Sequence, residues 1–167
     1  MKFTECKAEF IETWGKLAIN WGENRTMGIV HALLLISCEP LCTDQIMEEL
    51  EISRGSANIT IHRLLELNLI YKQDLEGQRK DYYVAEKNMW KVMKAVVQER
   101  KKKELDPMIE TLEKLSALQP NCQKSTEFHN TVREIQDFSL RADRLLETFT
   151  GAEMNWLLRS MSGLGKR

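Results

Sequence analysis

The chain has 167 residues, enough for one ordinary domain with a real core, or for a small core plus a dimerisation arm, and too few for two independent enzyme domains. Apolar residues make up 43% of it and only 8 glycines and 3 prolines interrupt it, which excludes a disordered or fibrous chain and predicts a mostly helical globular protein. With 24 basic and 25 acidic residues the formal net charge is -1, which argues against indiscriminate attraction to nucleic acid, and any such contact must gather its Lys and Arg on one face.

No stretch reaches the ~20 uninterrupted apolar residues of a bilayer span, and Met1-Lys2-Phe3-Thr4-Glu5-Cys6 lacks a signal-peptide core. A cytoplasmic location with no membrane partner is expected. Cys6, Cys38, Cys42 and Cys122 are then expected as free thiols.

Phe3, Cys6, Phe10, Trp14, Leu17, Ala18 and Trp21 recur at three- and four-residue steps, predicting a helix with one buried stripe that ends near Gly22. Asn24 suits an N-cap for a second helix through Ser37, apolar on most sides and therefore central, which Glu39-Pro40 ends. Thr43 is the expected cap of a short third helix with Asp44 in its first turn and Ile46 and Leu50 on one face. After the tight link Glu51-Ile52-Ser53, Ser53 can cap a fourth helix carrying Ala57, Ile61, Leu64 and Leu65 inward. Two short helices joined this way form a helix-turn-helix.

Leu69 to Asp74 and Lys80 to Ala85 read as two strands around a turn in which Gly77 permits positive φ. A hairpin placed there is a wing. From Asn88 a long helix is expected, bent near Pro107, which lacks a backbone donor. Beyond Gln119-Pro120-Asn121 a second long helix follows through Phe149, then a short one over Ala152 to Ser162 and a frayed tail over Gly163 to Arg167. The fold class is mainly α with a small β-hairpin wing: a winged helix-turn-helix plus long dimerisation helices. Residues 1–42 are expected to supply supporting helices and dimer contacts, 43–87 a DNA-binding core, 88–162 a helical dimerisation arm and 163–167 the tail.

Around Ala57 the outward or flanking positions are Gly55, Ser56, Asn58, Ile59, His62, Arg63 and Glu66. A solvated face would favour Lys and Glu. This one instead offers an amide, an outward isoleucine and nitrogen-rich side chains, which match adenine, the thymine methyl and guanine in a major groove. Ser53, Arg54 and Ser56 lie at the helix amino end, where free donors favour a phosphate. Arg79 and Lys80 cluster at the wing tip with Lys72 opposite, suited to a narrow minor groove. Glu76 and Asp81 either weaken that attraction or orient the arginine through an ion pair.

These residues resemble the GbsR/MarR-like branch of winged-helix regulators. The matching text is Phe10-Ile11-Glu12-Thr13-Trp14-Gly15, Arg25-Thr26-Met27-Gly28, Ser53-Arg54-Gly55-Ser56-Ala57-Asn58 and Gly77-Gln78-Arg79-Lys80-Asp81-Tyr82-Tyr83, within roughly Phe10 to Leu115. The resemblance implies a homodimeric regulator, a repressor or an activator, joined by helices from both chain ends, with each recognition helix in a major groove of a pseudo-palindromic double-stranded operator. It also implies that some members respond to a small-molecule effector such as a choline-type osmoprotectant precursor. Gln78 stands where the family often has an acid before the wing arginine.

For such an effector, Trp14, Trp21, Tyr82 and Trp90, with Tyr83, could assemble an aromatic cage; core packing is the preferred reading. Cys38 and Cys42 have a spacing zinc would tolerate, but no second pair follows and His31, His62 and His129 are dispersed. No neighbouring cations mark them as a thiol switch either. Arg100-Lys101-Lys102-Lys103 could brush a DNA backbone, although the wet face of a helix is preferred. With no phosphate-binding glycine loop, nucleophile elbow or metal-binding His-Glu helix, neither an enzyme nor a cofactor is expected. The competing class is a winged-helix protein-interaction module without sequence-specific DNA binding.

Overall fold

The structure, a computed structural model, describes residues 2–151; the helix expected over 152–162 and the tail beyond lie outside them. The elements are α1 (Phe3–Asn20), α2 (Arg25–Ile36), β1 (Leu41–Cys42), α3 (Thr43–Leu50), α4 (Arg54–Glu66), β2 (Ile70–Gln73), β3 (Tyr82–Ala85), α5 (Met89–Arg100), a π-helical turn (Lys101–Leu105), α6 (Asp106–Ser116) and α7 (Gln123–Thr150). They fall into two compact units that divide between Ala95 and Val96.

The first unit is built around α2. Asn24 Oδ1 accepts from the Met27 N–H at 2.7 Å and starts the helix, and every residue from Met27 to Leu34 is buried. Its carboxyl end is closed by a distant cation: Lys87 Nζ donates to the carbonyls of Leu34 at 2.8 Å, Leu35 at 2.5 Å and Ser37 at 3.1 Å. A lysine there satisfies orphan acceptors and complements the negative end of the helix dipole.

α1 lies against α2, but not on the stripe expected. Phe3, Cys6 and Leu17 are exposed, and the one fully buried position is Gly15. A Cβ on Gly15 would stand 2.8 Å from Ile29 Cγ2, and one on Gly28 would stand 2.7 Å from the Ala18 Cβ. Two facing glycines allow the helices to meet at their backbones, and that contact turns the buried face of α1 away from the larger residues.

Ile46, Ala57, Ile61 and Leu64 carry α3 and α4 into the same core, and the unexpected member is Thr60, also buried. Cys42, one residue before the expected Thr43, caps α3: its N–H donates to Gln45 Oε1 at 2.8 Å. The turn to α4 passes through Glu51 in the left-handed region, at φ 52°. Ser53 Oγ then accepts from the Ser56 N–H at 3.2 Å and begins α4 as its sequence predicts.

The hairpin pairs Ile70 with Ala85 and Gln73 with Tyr82. Its sheet has a third strand that sequence reading did not anticipate, β1, which pairs Leu41 with Tyr83 and gives the antiparallel order β1-β3-β2. Tyr83 and Ala85 point into the core, while beyond Ile70 strand β2 is exposed.

In the second unit Pro107 has its effect as a widened turn. Pro107 offers no N–H to the Lys103 carbonyl one turn back, and its ring crowds that oxygen. The chain absorbs the misfit in the π-helical turn Lys101–Leu105 before α6 continues. α6 and α7 pack on each other and bury Leu112, Val132 and Ser139. The basic run is the wet helix face expected of it at Arg100, Lys102 and Lys103, which are exposed, and departs from it at Lys101, whose Nζ lies 2.7 Å from Asp143 Oδ1 and 2.9 Å from Asp106 Oδ1 and ties the π turn to α7.

Candidate nucleic-acid interface

Three α4 positions turn outward together, because the 3.6-residue period that buries Ala57, Ile61 and Leu64 leaves Asn58, Ile59 and His62 on the opposite side. Ile59 is 73% exposed, unusual for an isoleucine on a well-packed helix. Among the described residues, the side chains of Asn58 and His62 have no hydrogen bond or ion pair within the chain. Arg54 and Gly55 form the exposed amino end beside them, with Ser56 half-buried; a Cβ on Gly55 would meet nothing within 4 Å. Ser53 uses its oxygen as a cap acceptor, which leaves the hydroxyl proton free to donate.

The wing reaches the same surface through an acid. Asp44, in the first turn of α3, accepts from Arg54 Nη2 at 2.6 Å through one oxygen and from Lys80 Nζ at 2.7 Å through the other. Lys80 and then Arg54 hold the Asp44 carboxyl below its ordinary range, and Asp44 in turn raises Lys80. At the hairpin tip Gly77 takes φ 76°, and the Gln78 N–H donates to the Leu75 carbonyl at 3.0 Å to close the turn. Arg79 is exposed and forms no ion pair among the described residues. Asp81 instead accepts from Lys72 Nζ at 2.7 Å, which answers the question of which cation it orients.

Other expected members stand apart. Arg63 is half-buried at the back of the exposed face, where its guanidinium donates to Glu66 Oε2 at 3.2 Å and lies 3.8 Å from Glu23 Oε1. The aromatic set is not gathered into a cage. The Trp14 ring stacks on Phe10 and its indole N–H donates to His31 Nδ1 at 3.2 Å; Trp21 ends α1, Tyr82 turns its hydroxyl to Gln78 on the wing, and Trp90 lies on α5. No ring contact joins Trp14, Trp21 and Tyr82 to one another among the described residues.

Sequence reading placed Asp44 at a helix start but not between two cations. Its partners lie 10 and 36 residues away, and no local pattern announces them. Among the described residues no group of three or more His, Cys, Asp or Glu is placed to hold a metal ion, and no helix is long and apolar enough to cross a membrane.

A short helix, a tight turn, a second helix with an outward polar face and a two-stranded wing define a winged helix-turn-helix. No family model matches the chain. A segment of 71 residues is 32% identical to the HTH-type transcriptional repressor GbsR of Bacillus subtilis (strain 168); it covers 42% of this chain and 39% of that relative, well under two thirds of its length. A crystal structure described as a transcriptional regulator superposes with a TM-score of 0.66 at 18% identity, covering 89% of this chain and 98% of that one, and the likeness is one of fold. The chain is thus similar to a GbsR repressor over part of its length and shares its fold with a solved transcriptional regulator.

Proposed function

We propose that the protein is a cytoplasmic, sequence-specific DNA-binding transcriptional repressor that acts as a homodimer on a pseudo-palindromic operator. The observation that carries this reading is the exposed, internally unpartnered set Asn58, Ile59 and His62 on α4, flanked by Arg54 and the wing cations Arg79 and Lys80. An amide can pair the adenine edge, an isoleucine can cover a thymine methyl, and the flanking cations can hold phosphates on either side. Gly55 supports it as well. A Cβ there would meet no described residue within 4 Å, and a glycine leaves room for a DNA backbone to approach the helix amino end.

Dimerisation is supported by α7. Phe128, Ile135, Phe138 and Leu145 are exposed, at successive spacings of seven, three and seven residues, which is the repeat of a helix-helix seam. Phe138 and Leu145 lie well round the helix from the face that α7 turns to its own unit, where Val132, Ser139 and Thr150 are buried, and Phe128 and Ile135 border that face. A small-molecule effector remains part of the reading, with its place moved from the aromatic set to an open groove of about 430 Å³ between α1, α2 and α3, lined by Lys7, Ile11, Arg25, Ile29 and Leu50.

Selection of bound duplexes from a random-sequence library tests the reading. A recurring, two-fold symmetric motif is expected, bound more weakly as salt rises because phosphate contacts release counterions. No enriched motif, together with a stoichiometric protein partner in pull-down, would replace this reading with the interaction-module one.

A further inference from the structure

The Asp44 carboxylate sits where three elements meet: the first turn of α3 that carries it, the amino end of α4 through Arg54, and the wing through Lys80. All three side chains are substantially exposed, and solvent-screened ion pairs add little to stability, so stability does not account for the arrangement. An acid on a surface that faces phosphate also repels the ligand. Its presence needs another explanation.

Geometry supplies one. The wing loop between Gln73 and Tyr82 is exposed except for a half-buried Leu75, so little packing fixes its direction. Two of its ties, Lys72 to Asp81 and Tyr82 to Gln78, stay inside the hairpin, whereas Lys80 to Asp44 joins the loop to the helix-turn-helix. The carboxylate accepts one hydrogen bond from each cation. Arg54 keeps further N–H donors on its planar fork, and Lys80 keeps further ammonium protons, all available to a phosphate. The other acids of α3 and its end serve elsewhere: Glu49 pairs with Lys7 on α1, and Glu48 and Glu51 form no ion pair among the described residues.

We propose that Asp44 is a positioning residue of the DNA-reading surface, which yokes the wing to the recognition helix, holds Arg54 and Lys80 as one phosphate-facing pair, and so lowers general affinity for DNA while raising discrimination between sequences. This rests on the DNA-binding reading above. Its consequence is unusual for a surface acid: removing it strengthens binding to the wrong DNA and weakens selectivity.

The experiment measures affinity for a duplex enriched by the wild-type protein and for a scrambled duplex, at two salt concentrations, by fluorescence anisotropy. Asp44→Asn is expected to bind the scrambled duplex about threefold or more tightly at low salt, with a salt dependence steeper by about one phosphate, and to lose about tenfold in the ratio of specific to non-specific affinity. Asp44→Glu, which can still reach both cations, is expected to recover most of that ratio. Asp44→Ser, which keeps an oxygen in the first turn, reports the same loss should the asparagine variant fold poorly. A purely structural role would move thermal unfolding without moving the ratio. An unchanged ratio in the folded neutral variants overturns the proposal, whereas a wild-type protein that enriches no sequence overturns the DNA-binding reading, and this proposal with it.

Discussion

The Cα of Gly15 lies 2.8 Å from the point where a Cβ on Gly28 would sit. The same point is 2.7 Å from the Ala18 Cβ and 2.8 Å from the Trp14 carbonyl oxygen, so neighbouring atoms on α1 leave no direction in which a methyl group could escape. Gly28→Ala is therefore expected to destabilise the protein by about 1 to 3 kcal/mol, against the usual small gain from alanine in a helix. Urea unfolding checks it, and an unchanged midpoint would mean that α1 and α2 can part at no cost.

His31 makes the core sensitive to acid. It is buried on α2, its Nδ1 accepts from the Trp14 indole, and its Nε2 has no hydrogen-bond partner among the described residues. Burial first, and the nearby Lys87 charge second, push its pKa from 6.5 down to about 4. The unfolded chain, with the ordinary value, binds a proton in the window between these two, and the folded chain does not. Stability is therefore full above pH 6.5 and falls as pH drops towards 4, by about 2 kcal/mol between pH 7 and pH 5. His31→Gln, whose amide oxygen can still receive the indole proton, is expected to flatten that slope in urea titrations at the two pH values.

The fold was legible where a signal is local. Asn24 and Ser53 announce their caps by residue type, and Gly77 announces the wing turn, because each acts within three residues of itself. Features that depend on distant partners were not legible. β1 is two residues long and exists only because β3 pairs with it, and the buried face of α1 is set by Gly28 on another helix. The candidate site divides in the same way. Asn58, Ile59 and His62 share a face by helical period, whereas Arg63 turns towards Glu23 from a loop 40 residues earlier and Asp44 acquires its role from the wing.

Ile59 offers a test at the level of one atom group. A 73% exposed isoleucine beside Asn58 is expected to cover a thymine C5-methyl in the major groove. Replacing each operator thymine in turn by uracil removes only that methyl. One such position per half-site is expected to weaken wild-type binding by about 1 kcal/mol, with no effect on Ile59→Ala. Equal losses for both proteins would place the isoleucine away from the bases.

Arg63 and Arg79 are expected to separate cleanly. Arg63, held by Glu66 and facing Glu23, is expected on Arg63→Ala to change stability by no more than about 1 kcal/mol and to leave base preference intact. Arg79, exposed at the wing with no ion pair among the described residues, is expected on Arg79→Ala to weaken binding to all sequences and to reduce the salt slope by about one. Binding titrations of both variants on matched and mismatched duplexes check the pair. A relaxed motif for Arg63→Ala would show that the guanidinium leaves its carboxylates on contact with DNA.

The exposed seam of α7 makes oligomeric state a prediction with two readouts. Phe138 and Leu145 are 72% and 71% exposed and seven residues apart on one side of the helix, an apolar stripe that water alone does not favour. Burying it against a second copy removes apolar surface from water, while a charge placed there must be desolvated without a partner. Leu145→Lys is therefore expected to shift sedimentation at micromolar concentration from dimer to monomer while leaving the helical circular dichroism signal unchanged. Two recognition helices spaced about one turn of DNA apart need that dimer to engage both half-sites at once. The same variant is then expected to bind a single half-site as well as the wild type does and to lose its preference for the full operator; a wild-type protein that sediments as a monomer removes the paired half-site geometry altogether.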